Sequence, residues 1–183
     1  MSYRTIIRSP TALGLLFAVG AAACGDAADP MSPEAPQPAY AMHAQVAAGG
    51  PGLAELRRAT ARFHRLEAAM AAGWSEQITP CLENPSAGGM GFHYANLALF
   101  DGQVNVTEPE ALVYAPWRNG EVRLVAVEYI VPLGAWQGAD PPELLGQQFH
   151  RNDAVGIWAL HVWLWQHNPN GLFADWNPRI SCG

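Results

Sequence analysis

The segment Trp158-Ala159-Leu160-His161-Val162-Trp163-Leu164-Trp165-Gln166-His167 limits the possible folds more than any other part of the chain. Aromatic and branched side chains dominate it, neither Gly nor Pro interrupts it, and Asn168-Pro169-Asn170-Gly171 closes it with a turn signal. These features favour a central β-strand over a helix of the same length. Alternation then places Ala159, His161, Trp163, Trp165 and His167 on one face and Trp158, Leu160, Val162 and Leu164 on the other. Both faces are apolar enough to be buried. His161 is therefore expected as an imidazole in a Trp-walled interior, where a polar group needs a partner.

The beginning of the chain indicates destination. Arg4 and Arg8 precede a charge-free run from Ser9 to Gly25, with an apolar centre at Leu13–Val19 and small residues from Gly20 to Ala23. A basic start, a short apolar middle and a small-residue exit describe a secretory signal peptide, and the run is short for a membrane span. Ala21-Ala22-Ala23-Cys24 resembles a bacterial lipoprotein signal, in which the new N-terminal Cys is acylated, although Ala21 stands where that pattern usually has Leu. The alternative is an ordinary cut after Ala-x-Ala that leaves Cys24 as a thiol. The expected organisation is a signal peptide over 1–23, a flexible Ala-, Pro- and Gly-rich tether over 24–52 behind an acylated Cys24, and a single globular domain over 53–183. This implies an exported, periplasmic or cell-envelope lipoprotein whose first partner is the membrane.

Charge and cysteine content narrow the choices. The formal net charge is −6, and loss of Arg4 and Arg8 with the leader makes it more acidic, which disfavours nucleic acid as a partner. The chain has no Lys, so a lysine nucleophile and a P-loop are excluded. With Cys24 assigned to lipid, Cys81 and Cys182 remain as one pair in an oxidising compartment, where a disulfide is expected. Two free thiols acting as metal ligands are the alternative.

In order, the domain opens with a helix between Gly50-Pro51-Gly52 and Gly73, with Leu53, Leu56, Phe63 and Met70 near helical spacing. His64 lies three residues before Glu67 on that helix and can reach the same face; a solvent-facing His is the plainer reading. Asn84–Gly91 reads as a loop whose glycines allow something to pack closely just before His93. A strand from Phe92 carries His93, Ala95, Leu97 and Leu99 on one side. A hairpin follows, Ala111–Ala115 and Glu121–Val131, turning at Trp117-Arg118-Asn119-Gly120. On its second strand Val122, Leu124, Ala126, Glu128 and Ile130 are expected to share a face, which makes Glu128 the one acid in an apolar row. A carboxylate there costs several kcal/mol unless protonated, paired or bound to a cation. Pro132–Asp153 reads as loop, with His150 at the surface or bordering a cleft.

Two function classes follow. His93, Glu128 and His161, with His64 offered from the helix, make a donor set suited to one divalent transition metal, zinc, iron or copper, and an open coordination position would permit water activation or oxygen chemistry. The leading reading is an exported ligand-binding or structural lipoprotein of unassigned role, in which Glu128 and the histidines satisfy one another and the Trp-rich interior is core or a pocket for a small apolar ligand; the metal-binding protein or metal-dependent enzyme is the alternative to it. HExxH, CxxCH and nucleophile-elbow sequences are absent, and Ser75 and Ser86 have no evident His-Asp company. The expected architecture is α+β: one N-terminal helix packed on an antiparallel or mixed sheet of four to five strands.

The motifs Gly88-Gly89-Met90-Gly91-Phe92-His93-Tyr94-Ala95-Asn96, Val127-Glu128-Tyr129 and Leu160-His161-Val162-Trp163, with Asn168-Pro169-Asn170-Gly171-Leu172-Phe173 through Trp176-Asn177-Pro178 to Cys182, resemble a group of uncharacterised exported bacterial proteins. The resemblance runs from about Thr60 onward. It implies a shared fold and assigns no catalytic role.

Overall fold

The computed structural model describes residues 50–183; the expected leader, Cys24 and all but the last three residues of the expected tether lie outside them, and those last residues, Gly50 to Gly52, lead into and begin the first helix. The hairpin is the backbone of the fold. Strand β3 (Ala111–Pro116) and strand β4 (Val122–Pro132) pair antiparallel across a turn in which Asn119 and Gly120 both take positive φ, 59° and 77°, the conformation an Asn-Gly tip favours. Strands β1 (Glu76–Asn84) and β2 (Gly88–Ala95) add on one side, and β8 (Ile157–Val162) and β7 (His150–Asn152) on the other. The sheet runs β1-β2-β3-β4-β8-β7, every neighbouring pair antiparallel, and β5 (Glu143–Leu144) with β6 (Gln147–Gln148) forms a separate two-stranded ribbon.

The fold is thus mixed α+β, with six strands in the main sheet where four or five were expected. Strands β1 and β7 make the difference, and both are edges. Pro80 interrupts the strand pattern of β1, but an edge strand tolerates a residue with no N–H to donate. Strand β7 is only three residues long and has no periodicity to read. Strand β8 is shorter than the sequence suggested: it ends at Val162, and alternation fails beyond Trp163, so that Trp165 turns to the helix side and donates its indole N–H to Thr60 Oγ1 at 3.3 Å.

The single helix expected from Leu53 to Met70 is broken. Helix α1 (Pro51–Thr60) passes into a 3-10 turn (Ala61–His64), Arg65 is extended (φ −95°, ψ 124°), and helix α2 (Leu66–Ala71) follows. Phe63 explains part of the interruption: its carbonyl accepts the Tyr114 hydroxyl at 2.6 Å instead of serving a helical N–H one turn on. Leu53, Leu56, Phe63 and Ala69 share a buried cluster with Leu112, Tyr114, Leu124, Val127, Tyr129, Leu160 and Val162 from one face of the sheet. The break turns Met70 outward, where it is 44 % exposed.

One bulge redistributes the faces of β4. Val113 pairs with Ala126 and Tyr114 with Leu124, leaving Val125 as an extra residue. Leu124 therefore packs on the helix side, while Val125 and Ala126 both join Val113 and Trp163 on the opposite side. The expected single row from Val122 to Ile130 is split at this point, and Ala126, Glu128 and Ile130 keep the face away from the helices.

The C-terminal residues form a strap over that second face. Gly89 and Asn177 exchange hydrogen bonds, N–H to carbonyl in both directions, at 3.1 and 3.0 Å. A Cβ on Gly89 would lie 2.7 Å from the Ile180 side chain, so the glycine-rich approach to His93 is space for the strap's backbone. Cys182 closes the strap with a disulfide to Cys81 on β1. The bond spans a sequence separation of 101 residues, for which chain entropy gives about 4–5 kcal/mol at most. The double substitution Cys81→Ser with Cys182→Ser is expected to lower unfolding free energy by about 2–5 kcal/mol in urea titration. Amides of Asn177 and Ile180 should then exchange with solvent well before those of β4.

Candidate metal centre

Strand register builds the site. Glu128 on β4 is the direct cross-strand partner of His161 on β8, and on its other side it faces Ala111 of β3. His93 comes from β2, one strand beyond β3. On a flat sheet the backbones of β2 and β8 would stand about 14 Å apart, three strand spacings, too far for two imidazoles to meet. The sheet curls toward this face, and Ala111, fully buried on β3 opposite Ala95 and Glu128, adds only a methyl group between the strands that carry His93 and Glu128.

The result is a convergence of three side chains. His93 Nε2 lies 3.2 Å from His161 Nε2 and 3.3 Å from Glu128 Oε2, and one donor atom from each residue falls within 4.8 Å of the others. Ligand atoms about 2.0–2.2 Å from a tetrahedral zinc ion stand about 3.3–3.6 Å from one another, so both short separations lie near the short edge of such a site. The two imidazoles are 2 % and 1 % exposed, whereas the Glu128 side chain keeps 14 % of its surface open. The carboxylate is thus the part of the group that faces the access route.

The outer nitrogens fix the inner ones. His161 Nδ1 lies 3.1 Å from the Asp175 carbonyl, which can only accept, so Nδ1 carries the proton and the Nε2 lone pair points inward. His93 Nδ1 lies 2.8 Å from the Thr79 hydroxyl, which also accepts the His93 backbone N–H at 3.2 Å. A hydroxyl can donate or accept. It can accept a hydrogen bond from Nδ1–H, which leaves the His93 Nε2 lone pair free for a cation, or donate one to an unprotonated Nδ1, in which case Nε2–H donates to His161. Supporting contacts of this kind orient and tune imidazoles that bind metals.

Electrostatics agree with that reading. Burial, and then the neighbouring His161, hold His93 down from 6.5 to about 3; burial holds His161 down to about 4, against the opposing Asp175 contacts. Both rings are neutral at pH 7, the form that binds metal. Burial, followed by the charges of Asp175 and Glu110, pushes Glu128 up from 4.5 to about 8. A cation supplies the opposite charge that this carboxylate lacks.

A cavity of about 490 Å³ opens onto two of the three donors, His93 and Glu128. Ile78, Leu82, Phe100, Ile130, Val155 and Ile157 contribute apolar surface to it. His150 and Asp175 also border it, with His150 Nδ1 3.5 Å from Asp175 Oδ1.

Of the expected ligands, three come together and one does not. His64 is exposed on the helix side, edge-on to Trp165 with ring centroids 4.3 Å apart, and is not among the converging donors. Cys81 and Cys182 are spent on each other. Thr79, Ala111 and Asp175 were not singled out from sequence. Thr79 sits on the unforeseen strand β1, and Asp175 acts on His161 through its backbone carbonyl, for which a sequence carries no signal. Glu110 was also missed. It is 2 % exposed, accepts the Ile130 N–H at 3.0 Å, and is pushed to about 8 by its own burial.

No family model, curated protein or solved structure matches this chain.

The shifted groups set the stability of the cation-free protein. Below pH 6.5 the unfolded chain takes up protons that folded His93 and His161 refuse until about pH 3 and 4 respectively, so stability falls with acid across that window. Folded Glu128 and Glu110 keep protons that the unfolded chain loses from pH 4.5, so their contribution falls as pH rises toward 8. The two trends oppose each other between 4.5 and 6.5. Thermal unfolding of chelator-treated protein is expected to show its highest midpoint there and a decline toward pH 8.5, and Glu128→Gln should flatten that alkaline decline. A midpoint that climbs steadily from pH 6.5 to 8.5 would contradict the assignment.

Proposed function

We propose that this protein binds one divalent transition metal through His93, Glu128 and His161 and presents it to a small-molecule cavity. The observation that carries the reading is the His161 contact to the Asp175 carbonyl, which obliges Nε2 to aim a lone pair at His93 Nε2, 3.2 Å away, in a site that also holds a buried carboxyl group. Two neutral imidazoles and one carboxylate suit zinc best, then iron(II), and copper is accommodated by the same donors. Three protein ligands leave a coordination position open, and Glu128 lies along the cavity wall. A metal held in this way supplies Lewis acidity and activates bound water.

The placement we infer is outside the cytoplasm, in the periplasm or cell envelope, with the membrane reached through lipid on Cys24. The Arg4 to Cys24 sequence supports this, as does the Cys81–Cys182 bond, since disulfides persist in oxidising compartments. A second reading, binding of an apolar ligand without any metal, is favoured by the cavity itself, whose walls are mostly hydrocarbon.

Metal content separates the two. Protein made without a His tag and supplied with zinc, iron(II) or copper(II) is expected to retain about one equivalent after dialysis. His161→Ala is expected to retain almost none. Thr79→Val, which removes only the outer support of His93, should weaken affinity about 10- to 100-fold. At pH 7 the carboxyl of Glu128 is protonated, so loading should release about one proton, measurable by calorimetry in two buffers of different ionisation heat, and less in Glu128→Gln. A wild-type protein that retains none of the three metals would refute the proposal.

A further inference from the structure

The charge and shape of the cavity narrow what can sit on the metal, an inference that rests on the metal reading above. A divalent ion held by two neutral imidazoles and one carboxylate carries one net positive charge into a buried site. Among the described residues no arginine lines the cavity, and the chain has no lysine, so a phosphate or a dicarboxylate would bring charge that nothing described there balances. A single negative oxygen head neutralises the site. Beyond the head, Ile78, Leu82, Phe100, Ile130, Val155 and Ile157 offer hydrocarbon and no hydrogen-bond donor from their side chains. The His150–Asp175 pair borders the same cavity with side chains 46 % and 38 % exposed, in contact with water, and Asp175 repels a second negative charge. A volume of about 490 Å³ lies in the lower half of the range of ligand pockets and has room for a hydrocarbon tail of medium length beyond the head.

We propose that the site binds monocarboxylates with a medium-length aliphatic or aryl tail, the carboxylate on the metal and the tail along the walls formed by β4, β8 and Ile78. Coordination and burial act together, so neither the head nor the tail alone gives full affinity.

The test uses zinc-loaded protein of measured metal content, titrated calorimetrically with octanoate, acetate and 1-octanol. Octanoate is expected to bind at least about 30-fold more tightly than acetate, since each methylene removed from water adds to binding, and at least about 10-fold more tightly than octanol. Ile157→Trp fills the cavity from β8 four residues before His161. It should lower octanoate affinity at least about 10-fold while leaving zinc content and acetate binding unchanged. Should Ile157→Trp fold poorly, Ile78→Trp acts from a position that is 41 % exposed and tests the same point. Equal affinity for octanoate and acetate on fully zinc-loaded protein overturns this inference and leaves the metal site standing. Equal affinity for octanoate and octanol overturns the claim about the head group. Failure to load zinc, iron(II) or copper(II) removes the metal reading, and this inference with it.

Discussion

Glu128 and His161 face each other across adjacent strands whose nearby residues are largely apolar, and the rest of the molecule is arranged to make that pairing tolerable. A carboxyl group and two imidazoles buried together cost several kcal/mol unless each polar atom finds a partner. The outward nitrogens are satisfied by Thr79 and the Asp175 carbonyl, and the inward atoms by one another or by a cation. Every partner comes from a different segment: β1 supplies Thr79, β2 His93, β4 Glu128, β8 His161 and the C-terminal strap Asp175. A site of this kind exists only when the whole sheet has formed.

That dependence gives the strap and the disulfide a role beyond general stability. The strap places the carbonyl that fixes the His161 tautomer, and Cys182 ties its end to Cys81, two residues along β1 from Thr79. The supports of both imidazoles are therefore connected through one covalent bond. Loosening the strap releases the His161 Nδ1 proton to other acceptors, and the direction of its Nε2 lone pair is then no longer imposed. The bond constrains the unfolded chain and, in the folded one, holds two outer contacts in a common frame.

What the sequence revealed and what it concealed divide along the same physical line. The hairpin was legible because Asn119-Gly120 is a local signal, and its edges were found almost to the residue. His93, Glu128 and His161 were legible because each is a polar residue in an apolar strand. His64 looked equivalent in the sequence, but helix α1 and its 3-10 continuation lie on the other face, and only the tertiary arrangement distinguishes the two faces. The bulge at Val125 was hidden because Val122 to Val131 alternates only loosely: with apolar residues at nearly every position, nothing in the pattern marks an extra one. Strand β1 was hidden by Pro80, whose penalty disappears at an edge. Ala111 was illegible for a different reason, since its contribution is the space it leaves between β2 and β4.

Glu110 and Glu128 show why burial alone does not identify a ligand. Both carboxyls are pushed to about 8, chiefly by desolvation, and each lies beside β4. Glu110 spends an oxygen on the Ile130 N–H, beyond the point where β3 has paired with β4, and so completes a ladder that the backbone of β3 does not reach. Its protonation suits a structural role: one oxygen accepts, and the acid carries no charge that needs an ion. Glu128 has no backbone N–H among its contacts; its near neighbour is His93 Nε2, its surface is partly open, and it borders the cavity. The same chemical group under the same desolvation serves as a strand cap in one place and as a candidate ligand in the other. The difference is whether its oxygens meet a donor already fixed in the backbone or a pair of imidazoles with which they can share a proton or a cation.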